Sequence, residues 1–414
     1  MTAIEILRFI PDETLMELAK ETKVDYCVKK LTGRVLFYLL LFSFLKLENL
    51  SQRSISEQFA NPNFKMLFNL PEQTGTLSHS SISARLDNID VTFFAKVYEL
   101  IYEKLSAIYT KEELKKKNII RIDSTMVAET CNKLSEGMTV GRKSAEGEDA
   151  RKQVKYTIGF DGFGAVLGKV LFDSACLSED VAMPKVLASL IEKDNTHKNI
   201  YVTDRGMGSV ENFSDLSKKG ATFVGRIKTN RKMESVRSLM TDDTNRDLGS
   251  LELVGDDVVR LYDSKEKRFS EQTFRVVKTK FKVKRDTGRK QTKGKSRRVE
   301  NEVFFITNDM GMSAKEVASV YKKRWDIEVF FRFLKQNLSF SHFISTSENG
   351  IKVILYMTFI AAMIIMLYKR ENEIDCNAKS AFLCDLEKWL HQLVIVLYEN
   401  KKRAINIMRN GGVP

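Results

Sequence analysis

Tyr321, Arg324, Glu328 and Lys335 stand at successive spacings of 3, 4 and 7 in the C-terminal third of the chain. At about 100° per residue, these intervals return to one face of a helix. The segment from Val320 to Leu338 holds neither proline nor glycine and is rich in helix formers, which predicts one continuous helix through it. A tyrosine, two cations and a carboxylate in one row make a poor core stripe. They make a good surface for a metal ion and a phosphate backbone. Two other acids lie close by. Asp326 sits about 200° around the helix from Glu328 and faces elsewhere. Glu316 falls in the first turn, where the helix dipole is reason enough for an acid. Glu328 is the carboxylate that needs a function.

Two aspartates share a second pattern. Asp123 follows Ile119-Ile120-Arg121-Ile122, and Asp204 follows Ile200-Tyr201-Val202-Thr203. Each reads as an acid at the end of a buried strand, where it is costly unless paired or bound to a metal. Ligands of open α/β sheets gather at the carboxyl ends of strands. Taken singly, each aspartate has a plainer reading as a turn residue or helix cap, Asp204 before Arg205-Gly206 above all. Taken together, Asp123, Asp204 and Glu328 could form one cluster. Three carboxylates without histidine suit a hard cation such as Mg²⁺, with Mn²⁺ as a substitute. They suit a two-metal phosphoryl-transfer site, with the two ions about 3.5–4 Å apart. In such a site one ion activates the attacking water or hydroxyl and the other stabilises the leaving oxygen.

The elements that must position these groups follow from periodicity. Apolar residues recur at helical spacing in Ile4 to Leu18, Leu31 to Leu45 and Val91 to Ile108. Between them, Ser80 to Arg85 could open a recognition helix or belong to a purely structural pair. From Asn118 the character changes. Asn118 to Val127, Tyr156 to Phe160 and Gly164 to Ser174 read as strands, the last two joined by the hairpin signal Asp161-Gly162-Phe163-Gly164. Helix, strand, helix and strand follow up to Arg226, which predicts a mixed α/β sheet whose first three strands form a meander. Residues 227–300 read as a β-rich insertion ending in a basic loop. That loop carries Lys284, Arg285, Arg289, Lys290, Lys293, Lys295, Arg297 and Arg298 against a single acid, Asp286. A strand from Glu302 to Thr307 leads into the Glu328 helix. Two further helices close the chain, one with Leu386, Leu390, Leu393 and Leu397 at helical spacing, a stripe for a dimer contact or for the chain's own core. The expected division is 1–114 helical, 115–226 and 301–345 the two parts of a catalytic core, 227–300 the insertion and 346–414 helical.

Composition narrows the function class. The chain has 414 residues, a formal net charge of +13, a pI near 9.3 and 43% hydrophobic residues. It can bury a large core, and its clustered basic excess favours a polyanionic partner. Five scattered cysteines without a CxxC pair argue against a disulfide framework or zinc site and fit a reducing cytoplasm. The four histidines are far apart in sequence. The acidic N-terminus with Pro11 does not read as a signal peptide. The apolar run Val353 to Tyr368 falls short of the roughly 20 residues of a bilayer span. No Walker motif is present, so nucleotide hydrolysis has no support.

With these residues in hand, the chain resembles the DDE transposases of bacterial insertion sequences, in the large family numbered four. Tyr321, Arg324, Glu328 and Lys335 fill its Tyr-x2-Arg-x3-Glu-x6-Lys signature without a gap, and Trp325 is typical of that helix. Asp123 in Ile-Asp-Ser-Thr and Asp204 in Thr-Asp-Arg-Gly match its two aspartates. The resemblance covers roughly residues 115–370. It implies an RNase H-like core flanked by helices and a catalytic and metal-binding set of Asp123, Asp204 and Glu328 with two Mg²⁺ ions. It also implies cleavage at terminal inverted repeats with joining of the 3′-OH to target DNA. Tyr321, Arg324, Trp325, Lys335 and the basic loop would contact double-stranded DNA. A homodimer would bridge paired ends in a bacterial, nucleoid-associated setting, with no membrane. One departure stands out. Members that cut through a DNA hairpin often use a tryptophan in the insertion to hold a flipped base, and this insertion has none. Phe269, Phe274, Phe281, Phe304 and Phe305 are the substitutes available. A metal-dependent nuclease or resolvase without strand transfer, and an inactive DNA-binding derivative, are the competing readings.

Overall fold

The alternating runs between residues 119 and 307 join a single sheet. The computed structural model describes residues 1–71, 75–110, 112, 118–128, 138–139, 152–162, 164–166, 178–194, 198–282, 301–374, 379–388 and 391–392. The basic loop and Leu390, Leu393 and Leu397 lie outside these residues, as do Phe163 and most of the expected third strand.

The chain divides into two units, one of them residues 110–127 and 137–331. Its strands are β1 (Ile119–Ala128), β2 (Met138–Thr139), β3 (Lys152–Phe160), β4 (Ala165–Val166), β5 (Ile200–Thr203), β6 (Thr222–Ile227), β7 (Met233–Ser238), β8 (Leu251–Asp263), β9 (Arg268–Phe269), β10 (Phe274–Phe281) and β11 (Glu302–Thr307). Their order is β2-β3-β1-β5-β6-β11-β10-β8-β7, with β4 on β3 and β9 on β8. β1, β5 and β6 run parallel, and the outer pairs are antiparallel. The β4-β3-β1-β5-β6 block is the expected mixed α/β sheet, with β5 and β6 continuing parallel to β1. The β-rich segment after β6 is not set apart from it. β11 pairs with β6 on one side and β10 on the other, so β10, β8 and β7 extend the same sheet.

Helix α8 (Glu179–Lys193) precedes β5, and α9 (Val210–Lys218) links β5 to β6. Both are crossovers that parallel strands require. Successive side chains alternate between faces. Ile120 and Ile122 of β1, Phe223 of β6 and Ile306 of β11 pack with Met183, Leu187 and Phe213 from the two helices. On the other face Val224, Val277, Phe305 and Val317 form a second core, against which Tyr321 packs. Two of the five phenylalanines considered for a flipped base are thereby spent in cores, Phe274 at 0% and Phe305 at 3% exposure. Phe304 and Phe281 pack partly against the same cores, and Phe269 meets Tyr262 edge-on.

The second unit comprises residues 1–109, 128–136 and 332–414. It holds α1 (Ala3–Leu7), α2 (Asp12–Glu21), α3 (Gly33–Lys46), α4 (Gln52–Ala60), α5 (Pro62–Leu67), α6 (His79–Asn88), α7 (Val91–Ile108) and a long helix Glu348–Glu371. Side-chain caps from Thr32, Ser51, Ser78 and Asp90 start four of them. Gly33 lets α3 approach its neighbours: a Cβ there would lie 2.9 Å from Val24 Cγ2 and 3.2 Å from Phe93 Cζ. In α6, the segment weighed as a recognition helix, Ile82 and Leu86 are buried. Arg85 donates to the Val24 and Leu31 carbonyls at 2.6 and 2.9 Å, so its head group serves the unit's own structure. The apolar run from Val353 belongs to a helix of 24 residues, long enough to cross a bilayer, and 83% of its most apolar window is buried. Burial rather than length marks it as a core helix. Leu386 is also buried, so it serves the unit's own core.

Candidate active site

The parallel ladder between β1 and β5 ends at the pair Ile122–Thr203. Asp123 and Asp204 come next in the two strands, side by side by register. Asp123 was expected at a strand end, but β1 continues to Ala128. Its other neighbour, β3, carries it past the point where β5 stops. Asp204 opens the turn beyond β5.

The expected single helix over Val320 to Leu338 is two helices, α10 (Ala314–Lys322) and α11 (Trp325–Asn337). Between them the amides of Lys323, Arg324, Asp326 and Ile327 donate to carbonyls three residues back, at 2.9–3.3 Å. This is 3₁₀-type tightening. Arg121 holds the break. It shares a face of β1 with Asp123, donates from Nε to the Lys323 carbonyl at 3.2 Å and pairs with Asp326 at 2.8 Å. Its side chain is 5% exposed. The sequence reading missed Arg121, whose only signal was a cation inside an apolar run.

Five predicted residues meet at this junction. Arg324 bridges two acids, with Nη1 3.3 Å from Asp123 Oδ2 and Nη2 2.5 Å from Glu328 Oε1. The Tyr321 hydroxyl donates to Asp204 Oδ1 at 2.9 Å, and its ring packs on Phe305, centroid to centroid 5.0 Å. The Asp123 side chain is 15% exposed and that of Arg324 14%. Asp123 also accepts from the Ser124 amide at 2.7 Å. Burial pushes its carboxyl up to about 6, against which the Ser124 amide and Arg324 pull down while Glu179 and Asp204 add to the rise. Burial works against the charge of Arg324, but Asp204, Glu328 and Tyr321 hold its pKa above the ordinary value. Burial, then Asp204, raises that of Tyr321. Lys335 lies two turns along α11 from Glu328, in the other unit, and burial lowers its pKa. Trp325 is 51% exposed beside the break, with Val329 exposed one turn on.

Among the described residues, no three His, Cys, Asp or Glu side chains stand close enough together to hold a metal ion as placed. The guanidinium of Arg324 is the local counter-ion. The donor set still fits a hard divalent cation: oxygen ligands only, and a buried carboxylate with raised pKa whose ionised form needs positive charge. Beside the Asp204 turn, a cavity of about 250 Å³ is lined by Arg205, Lys228, Arg231 and Lys265 and by the acids Asp180, Glu211 and Asp263.

Residues 114–364 match the family described as the transposase DDE domain. Relatives named as transposases include y4zB of Sinorhizobium fredii, 26% identical over 42% of this chain and 44% of the relative. Another, of insertion sequence element IS4SA from Synechocystis sp., is 26% identical over 49% and 52%. A third, of IS5377 from Geobacillus stearothermophilus, is 27% identical over 45% and 44%. The matches span about half the length of these relatives. A cryo-EM structure of the piggyBac transposase synaptic complex with hairpin DNA aligns over 94% of this chain and 79% of its own, at 13% identity and a TM-score of 0.43. The family match covers more than half of the sequence and contains Asp123, Asp204 and Glu328; the chain belongs to the transposase DDE domain family.

Proposed function

We propose that this chain is a DNA transposase that cleaves the ends of an insertion sequence and joins the 3′-OH ends to target DNA. The observation that carries the reading is the side-by-side placement of Asp123 and Asp204 with Glu328 tied to Asp123 through Arg324. Asp123, Asp204 and Glu328 are the catalytic set and would hold two Mg²⁺ ions, which when bound activate the attacking oxygen and stabilise the leaving one. The chain's own residues do the rest. Asp123 must be ionised to bind a cation, which favours operation above about pH 6. Arg324 neutralises Asp123 and Glu328 while no cation does. With a cation on those oxygens, its planar head is free to grip a phosphate bidentately, and Tyr321 adds a hydroxyl donor. Trp325 extends this surface toward the duplex, Lys335 is a further DNA contact, and Arg205 and Lys228 beside the Asp204 turn offer phosphate contacts. The loop from Lys284 to Arg298 supplies non-specific backbone binding. The helices of residues 1–114 are the end-binding module. Two chains act on one pair of ends in the bacterial cytoplasm.

The test is incubation with Mg²⁺ and DNA carrying the element's own ends, with products resolved on a denaturing gel. Excised and joined products are expected from the wild type. Asp123→Ala, Asp204→Ala and Glu328→Ala should each lose cleavage and keep end binding. Nicks without joined products would instead favour a nuclease, and normal cleavage by any of the three variants would remove that residue from the set.

A further inference from the structure

A fourth carboxylate reaches the turn after Asp204. Glu179 is the first residue of α8 and is partly buried. Its carboxylate lies hard against the turn that carries Asp204: a Cβ built on Gly206 would sit 1.6 Å from Glu179 Oε2 and 2.7 Å from its Cδ. Any side chain at 206 would evict this carboxylate. The next residue fixes the arrangement. Asp180 Oδ1 accepts from the Gly208 and Ser209 amides at 2.8 and 3.1 Å and from Asn212 Nδ2 at 3.1 Å. The Asp180 carbonyl accepts from the same Asn212 amide at 2.8 Å. Four hydrogen bonds therefore staple the start of α8 to the turn after Asp204, and Glu179 is carried in with it. The charge of Glu179 reaches Asp123 as well, where it opposes ionisation. Repulsion between like charges is a standing cost in the cation-free protein and an asset once a cation enters.

We propose that Glu179 is a positioning acid of the site, held by Asp180 and by the absence of a side chain at Gly206, which strengthens the hold of Asp123 and Asp204 on a divalent cation. This rests on reading those aspartates as cation ligands. The plainer alternative is that Glu179 serves only the first turn of α8, where an acid suits the helix dipole. Metal affinity separates the two, because a dipole role would not move it.

The experiment is Mn²⁺ binding by calorimetry on the whole chain without DNA, with melting in EDTA measured in parallel. Wild type, Glu179→Gln, Glu179→Asp and Asp123→Asn are compared. Glu179→Gln keeps the shape and should weaken Mn²⁺ about 10-fold, the low end for residues that support metal ligands. Its melting in EDTA should not fall. Glu179→Asp keeps the charge and should recover most of the affinity. Gly206→Ala, which displaces the carboxylate without removing it, should repeat the Glu179→Gln loss. Unchanged affinity in Glu179→Gln, beside a wild type that binds Mn²⁺ and an Asp123→Asn protein that does not, overturns the role of Glu179 alone. A wild type that binds no better than Asp123→Asn overturns the cation reading and this inference with it.

Discussion

Replacing Asp123 by asparagine should stabilise the cation-free protein at alkaline pH and leave it unchanged near pH 4. The carboxyl of Asp123 titrates at about 6 in the folded chain against 3.8 for an ordinary aspartate. A carboxyl with a raised folded pKa binds its proton more tightly in the native state. Ionisation therefore costs no stability below about pH 4, costs progressively more up to about pH 6, and costs its full amount above that. Roughly two units at 1.36 kcal/mol each give about 3 kcal/mol. The side chain is only 15% exposed, so solvent screening takes little from this figure. Asparagine copies the uncharged form and should restore that amount. For a unit of about 200 residues, 2–4 °C per kcal/mol converts it to a rise of about 6–12 °C in melting temperature. The assay is thermal unfolding in EDTA at several pH values from about 4 to 8, wild type against variant. A variant no more stable than wild type at pH 8, or equally stabilised at pH 4, would refute the account of Asp123 as a buried charge awaiting a cation.

Other outcomes follow from the same geometry. Mg²⁺ at about 100 times its dissociation constant should stabilise the wild type by about 2.7 kcal/mol at pH 8 and leave Asp123→Asn unmoved, read by the same melts. Arg121→Ala should cost about 2 kcal/mol in urea unfolding, because it removes charged hydrogen bonds that anchor the Lys323–Arg324 break, while the Asp326 it deserts is half in water. Arg324→Ala should lower cleavage or joining far more than stability, compared by gel assay and urea melts; full activity would exclude a phosphate role. Neutralising the basic loop should flatten the plot of log affinity against log salt by about 0.9 for each duplex phosphate the loop no longer neutralises, measured by fluorescence titration with DNA.

Much of the sheet was legible because its strands are short apolar runs bounded by turn residues, and because the helices between β4, β5 and β6 carry clear amphipathic patterns. Asp123 and Asp204 could be singled out as acids after apolar strands, where burial is costly, and Glu328 as the acid in a row with Tyr321, Arg324 and Lys335. The end of β1 was not. A strand ends where its partners do, and β1 has two: β5 stops at Thr203 while β3 continues, a fact no local pattern in residues 119–128 encodes. Glu179 was silent for a similar reason. Its sequence neighbourhood says only that a helix begins, and its approach to the turn after Asp204 depends on a missing side chain at Gly206 and on hydrogen bonds from that turn to Asp180, which local pattern does not encode.

The break at Lys323–Arg324 replaces the single helix expected over Val320 to Leu338. Neither proline nor glycine marks the break, because it is imposed from outside by Arg121 on the Lys323 carbonyl and on Asp326. In a continuous α-helix, residues three apart stand about 60° out of line. In a 3₁₀ turn they eclipse. Tightening at the break therefore brings Arg324 into line with Tyr321, its guanidinium 6.0 Å from the centre of that ring. From there α11 resumes, and the interval of four to Glu328 is the ordinary α-helical one that lets the guanidinium meet the glutamate at 2.5 Å. The first interval of the signature is served by a 3₁₀ turn and the second by an α turn. A buried cation on β1 makes that change of pitch possible, and Arg121 is thus as much a part of the site's geometry as the residues that face its centre.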